Sequence, residues 1–192
     1  MRSCPGGQGR HHPELAAELI AAQFPQCEAS GGPLPGEHNF FRGGSLAVYH
    51  DETQRALAVL GDEIDVPLAR ETWAAARAAT WYGSPVWVHS DIAPGNLLVE
   101  DGRLTAVIDF GSSAVGDPAC DAAMAWTTFS GESREAFRAG LPFDEATWAR
   151  GRGWALWKAA IVLAQALRDD PADARETSRV IAEVLADHRA SG

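Results

Sequence analysis

One lysine, Lys158, stands among sixteen basic residues, and the other basic side chains are all arginine. A site that needs a lysine ammonium therefore has a single candidate. Cysteine is almost as scarce: Cys4, Cys27 and Cys120 make an odd number with no CxxC spacing, which indicates neither a disulfide framework nor a zinc centre and fits a reducing compartment. Positive charge is outweighed, with a formal net charge of −10, which argues against nucleic-acid or anionic-membrane partners and for cationic or metal-bridged ones. No apolar run approaches the ~18 residues of a membrane span, and the first residues are Gly, Pro, Arg and His rather than a signal peptide, so a cytoplasmic location is expected. What is present is ordinary globular material: 192 residues, 46% apolar and 22% charged, enough for one domain with a core and unlike a disordered or rod-forming chain.

Residues 1–12 show no periodicity and read as a loose end, and residues 13–192 as one folded unit. Leu15, Leu19 and Ile20 predict a helix over Pro13 to Phe24. The Gly and Pro density from Pro25 to Ser45 predicts a loop, packed onto the body through Phe40 and Phe41. Short helices follow at Glu52 to Leu60 and Pro67 to Thr80, then a β-prone Val86-Trp87-Val88 and a polar loop, His89 to Asn96. Asp101-Gly102 between the apolar runs Leu97 to Glu100 and Arg103 to Ile108 predicts a two-residue hairpin. Its register sets Asn96 across from Val107, with Asp109 two residues further on at the same open end. Asp117-Pro118 opens a helix to about Phe129. Asp144 caps a long helix to about Leu167 with Trp148, Trp154 and Trp157 in its apolar face and a kink at Gly151 and Gly153, and after Pro171 a last helix runs from Asp173 to Asp187. The fold class expected is α+β, predominantly helical, with the helical remainder over 118–188.

Asp91, Asn96 and Asp109 thus converge on the hairpin mouth, with His89 just before them. Carboxylate plus amide oxygen is a hard-cation donor set, suited to magnesium shared with substrate phosphates. With Asp109 and Asn96 on the metal, Asp91 is left to orient or deprotonate a hydroxyl. The simpler alternatives are turn-capping roles for the carboxylates and asparagine, and a structural hydrogen-bonding role for His89. Ser90 lacks the glycines of a hydrolase nucleophile elbow, and His50-Asp51 lacks the second pair of a metal phosphohydrolase and reads as a helix start.

The run His89-x-Asp91-x-x-x-x-Asn96, with Ile108-Asp109-Phe110-Gly111 beginning twelve residues after the asparagine and Gly116-Asp117-Pro118-Ala119-x-Asp121 beyond, resembles the aminoglycoside phosphotransferase family, relatives of protein kinases. It covers about Val86 to Trp126 closely and the helices after it loosely. The resemblance implies a protein-kinase-like large lobe with a hairpin at its site, catalytic loop 89–96 and metal loop 109–111. It implies transfer of the γ-phosphoryl of ATP or GTP to a hydroxyl of a small, cationic molecule such as an aminoglycoside, hence a role in antibiotic resistance. Asp91 would be catalytic, Asn96 and Asp109 would bind Mg2+, Leu98 and Ile108 would contact the nucleotide base, His89 would support the loop, and Asp121 is a candidate substrate contact.

Three positions depart from the pattern. Ser90 stands where the family usually has glycine, and Ala93 where protein kinases place a lysine. The third is the front of the chain: Gly6-Gly7-x-Gly9 lacks flanking strands and a following lysine, and the 85 or so residues before the catalytic loop read as helix, loop and helix rather than a small ATP-binding lobe. A chain so built is expected to transfer phosphate weakly if at all, to expose apolar surface at Leu98 and Ile108 and self-associate there. It leaves a second reading, an inactive remnant or pseudokinase acting as a binding module.

Overall fold

Asp144 starts the helix around which the rest is assembled. The computed structural model describes residues 31–169 and 171–191, so the expected loose end, first helix and Gly6-Gly7-x-Gly9 cluster lie outside the described residues. The carboxylate of Asp144 accepts from the amide and hydroxyl of Thr147, at 2.7 and 2.6 Å, and these two bonds hold its pKa below the ordinary carboxylate range. A helix follows over Glu145–Asp169. Trp148, Trp154, Leu156, Trp157 and Leu163 are all buried on it. Against it pack helices α1 (His50–Leu60), α2 (Val66–Ala78) and the short α3 (Ala119–Ala122), which α4 (Met124–Thr127) follows. α5 spans Gly131–Ala139, the long helix is α6, and α7 (Pro171–Ser191) closes the order.

α7 runs back along α6. Arg152, near the start of α6, bonds Asp187 at 2.8 Å and Ser191 at 3.1 Å, both at the end of α7. Asp187 also takes Arg138 of α5 at 2.5 Å, and Arg152 takes Glu145 at 2.6 Å, so three helices meet in one charge network. The apolar core lies between these helices and contains Leu57, Leu60, Trp73, Trp126, Ile181 and Val184.

α6 is one uninterrupted helix through Gly151 and Gly153. Both are points of close approach. A Cβ on Gly153 would lie 2.6 Å from the Cβ of Ala76, and one on Gly151 3.1 Å from that of Ala122. Gly153→Ala is accordingly expected to destabilise the fold by about 1–3 kcal/mol through overpacking, against the gain of roughly 1 kcal/mol that helix propensity alone would give. Urea denaturation of the variant decides between the two signs.

The strands are few. β1 (Val86–Val88) pairs antiparallel with β4 (Ala114–Gly116), a strand not expected from the sequence. β2 (Leu97–Glu100) and β3 (Arg103–Val107) form the hairpin, and Asp101 and Gly102 take positive φ (50° and 79°) as a type I′ turn demands. The register departs from the simple expectation. Val99 pairs with Leu104 but Leu98 with Ala106, so Thr105 is an extra residue on β3, its hydroxyl donating to the Leu98 carbonyl at 3.0 Å. Asn96 therefore faces Ile108, not Val107, whose amide in turn falls to Leu97's level, and the Ile108 amide donates to the Asn96 carbonyl at 3.0 Å.

Two further expectations are corrected. Phe40 is 64% exposed and Phe41 half-buried; the loop is anchored by Asn39, 1% exposed, whose side chain binds the Gly36 amide and the Leu34 carbonyl. The helix expected up to Phe129 is the pair α3 and α4, joined at Ala123, whose backbone stays helical (φ −55°, ψ −26°).

Candidate active site

The loop from His89 to Asn96 is held from below by a carboxylate. Asp121, on α3, accepts the amide of His89 at 2.8 Å and that of Ser90 at 2.6 Å. It is 2% exposed. The expectation that Asp121 contacts substrate is thus corrected: its carboxylate is turned under the loop and engaged with backbone amides. Burial of those amides demands an acceptor, and a carboxylate one turn into the next helix supplies two.

His89 is buried and bridges outward from the same loop. Its Nδ1 accepts the Asp91 amide at 3.3 Å, which places the proton on Nε2, 2.9 Å from the Ile108 carbonyl. Both ring nitrogens are used by the neutral imidazole, and the ring lies 4.6 Å from that of Phe110. These are the contacts of a structural support.

Asn96 ends a short 3₁₀ turn over Pro94–Asn96, and its Nδ2 donates to the backbone carbonyl of Asp91 at 2.8 Å. That bond leaves the amide oxygen as the free pole of the side chain. Asp109 follows Ile108, the hydrogen-bonded neighbour of Asn96, in a left-handed conformation (φ 67°, ψ 59°) and immediately precedes the 3₁₀ turn Phe110–Ser112 without capping it. Asp91, Asn96 and Asp109 are thereby linked through backbone contacts at the hairpin's open end.

The state of the carboxylates separates the members of this segment. Asp121 is consumed as described. Asp117 accepts the Ala119 amide at 3.0 Å, as its capping role predicts, and is also clasped by Arg150 of α6 at 2.6 and 3.1 Å in a buried pair. Among the described residues, by contrast, nothing donates to the carboxylates of Asp91 and Asp109; the first is half-buried and the second exposed. A carboxylate and an amide oxygen are a chemically apt donor pair for Mg2+. Among the described residues no cluster of three His, Cys, Asp or Glu forms a protein-only cage, so the remaining coordination would come from phosphate and water.

Leu98 and Ile108 are 45% and 41% exposed. Leu98 pairs with Ala106, two residues before Ile108, which sets both on one face of the hairpin. Trp87 and Phe110, 40% and 61% exposed, add to the uncovered apolar surface. His50 is structural: its Nδ1 accepts from Trp73 and lies 3.0 Å from Arg77, and Asp51 stands in the first turn of α1 without capping it. Cys120 is buried, and burial foremost, then Asp121 and Asp117, push its thiol well above the ordinary range, so it is no nucleophile. Lys158 is exposed on α6. A cavity of about 450 Å³ bounded by Leu46, Arg77, Trp81 and Arg150 includes none of Asp91, Asn96 and Asp109.

The sequence does not by itself expose the Asp117–Arg150 pair, formed across 33 positions, nor the hydroxyl contacts of Ser90. The one signal for the latter is a serine where the loop pattern has glycine.

Comparison with solved structures gives an 18% identical match to the gentamicin complex of APH(2'')-IIa, with a TM-score of 0.50, over 90% of this chain and 64% of that one. The macrolide 2'-phosphotransferase MphH from Brachybacterium faecium is 24% identical with a TM-score of 0.47, over 88% and 58% respectively. The chain thus spans about three-fifths of the length of these structures, and the likeness to the first is one of fold, that of a protein-kinase-like phosphotransferase. No curated protein matches. No helix among the described residues is long and apolar enough to cross a membrane. The model of the phosphotransferase enzyme family (APH) matches residues 2–154, and with the helical fold and the loop arrangement above, the chain belongs to that family.

Proposed function

We propose that the hairpin end is the metal-binding and proton-accepting part of a site that moves the γ-phosphoryl of ATP or GTP to a hydroxyl of a small molecule. The observation that carries this reading is the contrast in carboxylates: Asp117 and Asp121 are spent on structure, while those of Asp91 and Asp109 have no donor among the described residues. Asp109 and the amide oxygen of Asn96 would hold Mg2+, which when bound neutralises phosphate charge. Asp91 orients the acceptor hydroxyl and takes its proton. The exposed face of Leu98 and Ile108 receives the nucleotide base, and is also the surface through which copies would self-associate. His89 keeps the loop in place.

The acceptor class follows from charge and from similar proteins. A solved structure of like fold is a complex with gentamicin, and an aminoglycoside suits a chain of net charge −10. A cavity of about 290 Å³ adjoins the catalytic loop at Pro94 and carries Glu176 and Glu183 on its wall. Arg179 bonds both, at 2.5 and 2.6 Å, and Arg134 pairs with Glu183 as well, so an ammonium group entering there would share these carboxylates with two arginines. Antibiotic phosphorylation in a cytoplasmic setting is the corresponding biological role.

A second reading, a nucleotide- or metal-binding module without transfer, is favoured by one observation: the only lysine is exposed on α6 rather than near the metal loop. Purified protein with Mg2+, radiolabelled ATP or GTP and a panel of amino sugars and macrolides separates the two. Labelled acceptor above an Asp91→Asn blank establishes the enzyme. Mg2+-dependent nucleotide binding without product establishes the module. Absence of both product and nucleotide binding contradicts both readings.

A further inference from the structure

Ser90 has φ 72°, a left-handed conformation that glycine adopts freely and a side chain disfavours. The serine makes contacts that glycine could not. Its hydroxyl donates to the Ser112 carbonyl at 2.6 Å, and its oxygen lies 3.1 Å from the Ser112 hydroxyl, near enough to accept from it. Ser90 immediately precedes Asp91, and Ser112 is three residues past Asp109. On the other side of Asp109, the His89 ring holds the Ile108 carbonyl at 2.9 Å. The metal loop is therefore pinned at both ends by consecutive residues of the catalytic loop, and Asp121 fixes the amides of those same two residues.

We propose that Ser90 is a positioning residue: its hydroxyl clamps the metal loop to the catalytic loop and so sets the placement of Asp109 relative to Asp91. The clamp rests on hydrogen bonds alone; its consequence for metal binding rests on the function proposed above. A glycine at this position would relieve the backbone but release one end of the metal loop. Serine trades some backbone ease for a bonded join between the two loops.

Ser90→Gly separates positioning from stability, because it removes the hydroxyl and the unfavourable φ together. The Ser113 amide, which donates to the Phe110 carbonyl at 3.1 Å, reports on the metal loop by hydrogen exchange. Expected in Ser90→Gly is exchange at Ser113 about fivefold faster and Mn2+ binding about fivefold weaker, the factor of one net hydrogen bond, with a melting temperature equal to or above wild type. Ser90→Ala, which keeps the strained backbone, is expected to show the same loosening with a lower melting temperature. Unchanged Ser113 exchange in both variants overturns the clamp. Faster exchange in a protein whose wild type binds no Mn2+ supports the clamp and removes the metal reading instead.

Discussion

Asp91→Asn is expected to slow phosphoryl transfer by about 10²- to 10⁴-fold, the usual contribution of a positioned base, while nucleotide and metal affinity stay near wild type. The structure makes this a clean substitution. Asp91 receives the Asn96 side chain on its backbone carbonyl and gives its amide to His89, and both bonds survive the change. Its carboxylate has no donor among the described residues, so the asparagine breaks no scaffold contact. A fall in kcat at constant KM, with unchanged melting temperature, is the expected signature in steady-state kinetics. A raised KM with unchanged kcat would assign Asp91 to binding and refute its role.

Substitution of Asp121 carries the largest expected effect on stability. An asparagine offers one oxygen and one NH2 where the carboxylate offers two oxygens, so either the His89 or the Ser90 amide faces a donor in a buried setting. One buried unsatisfied amide costs about 1–3 kcal/mol, and loss of charge assistance on the other adds to it. Asp121→Ala leaves both amides unmatched and should cost roughly twice as much, a large share of the ~5–15 kcal/mol that holds a typical domain. Urea midpoints give the cost directly. Wild-type stability in both variants would show that the loop does not depend on α3.

Local sequence signals were sufficient where the physics is local. Asp101-Gly102 can satisfy the positive φ values of a type I′ turn, Asp144 caps α6, and the helical spacing of Trp148, Trp154 and Trp157 marks a buried face; the structure has all three. The loop spacing from His89 to Asp109 placed the candidate site, since Asn96 and Ile108 are neighbours within one hairpin. The register was legible only to within one residue, because the bulge at Thr105 arises from pairing and not from any Gly or Pro mark.

Long-range partners were the blind spot. Asp121 reads as a carboxylate near a cleft, but its use by amides 31 and 32 positions earlier depends on how α3 docks beneath the loop. Gly151 and Gly153 read as flexible points in a helix, yet their reason lies on Ala122 and Ala76 of other elements. β4 is too short for a period to emerge over Ala114–Gly116 and exists through its pairing with β1.

Paramagnetic mapping by NMR tests the central claim most directly. Mn2+ is titrated into the isotopically labelled protein with and without ATP, and into Asp109→Ala. The account predicts that amide signals of Asn96 and Asp109 broaden first, that those of Asp91 follow, that ATP strengthens the effect, and that Asp109→Ala removes it. Broadening centred on Glu176 and Glu183, or unaffected by Asp109→Ala, would contradict it.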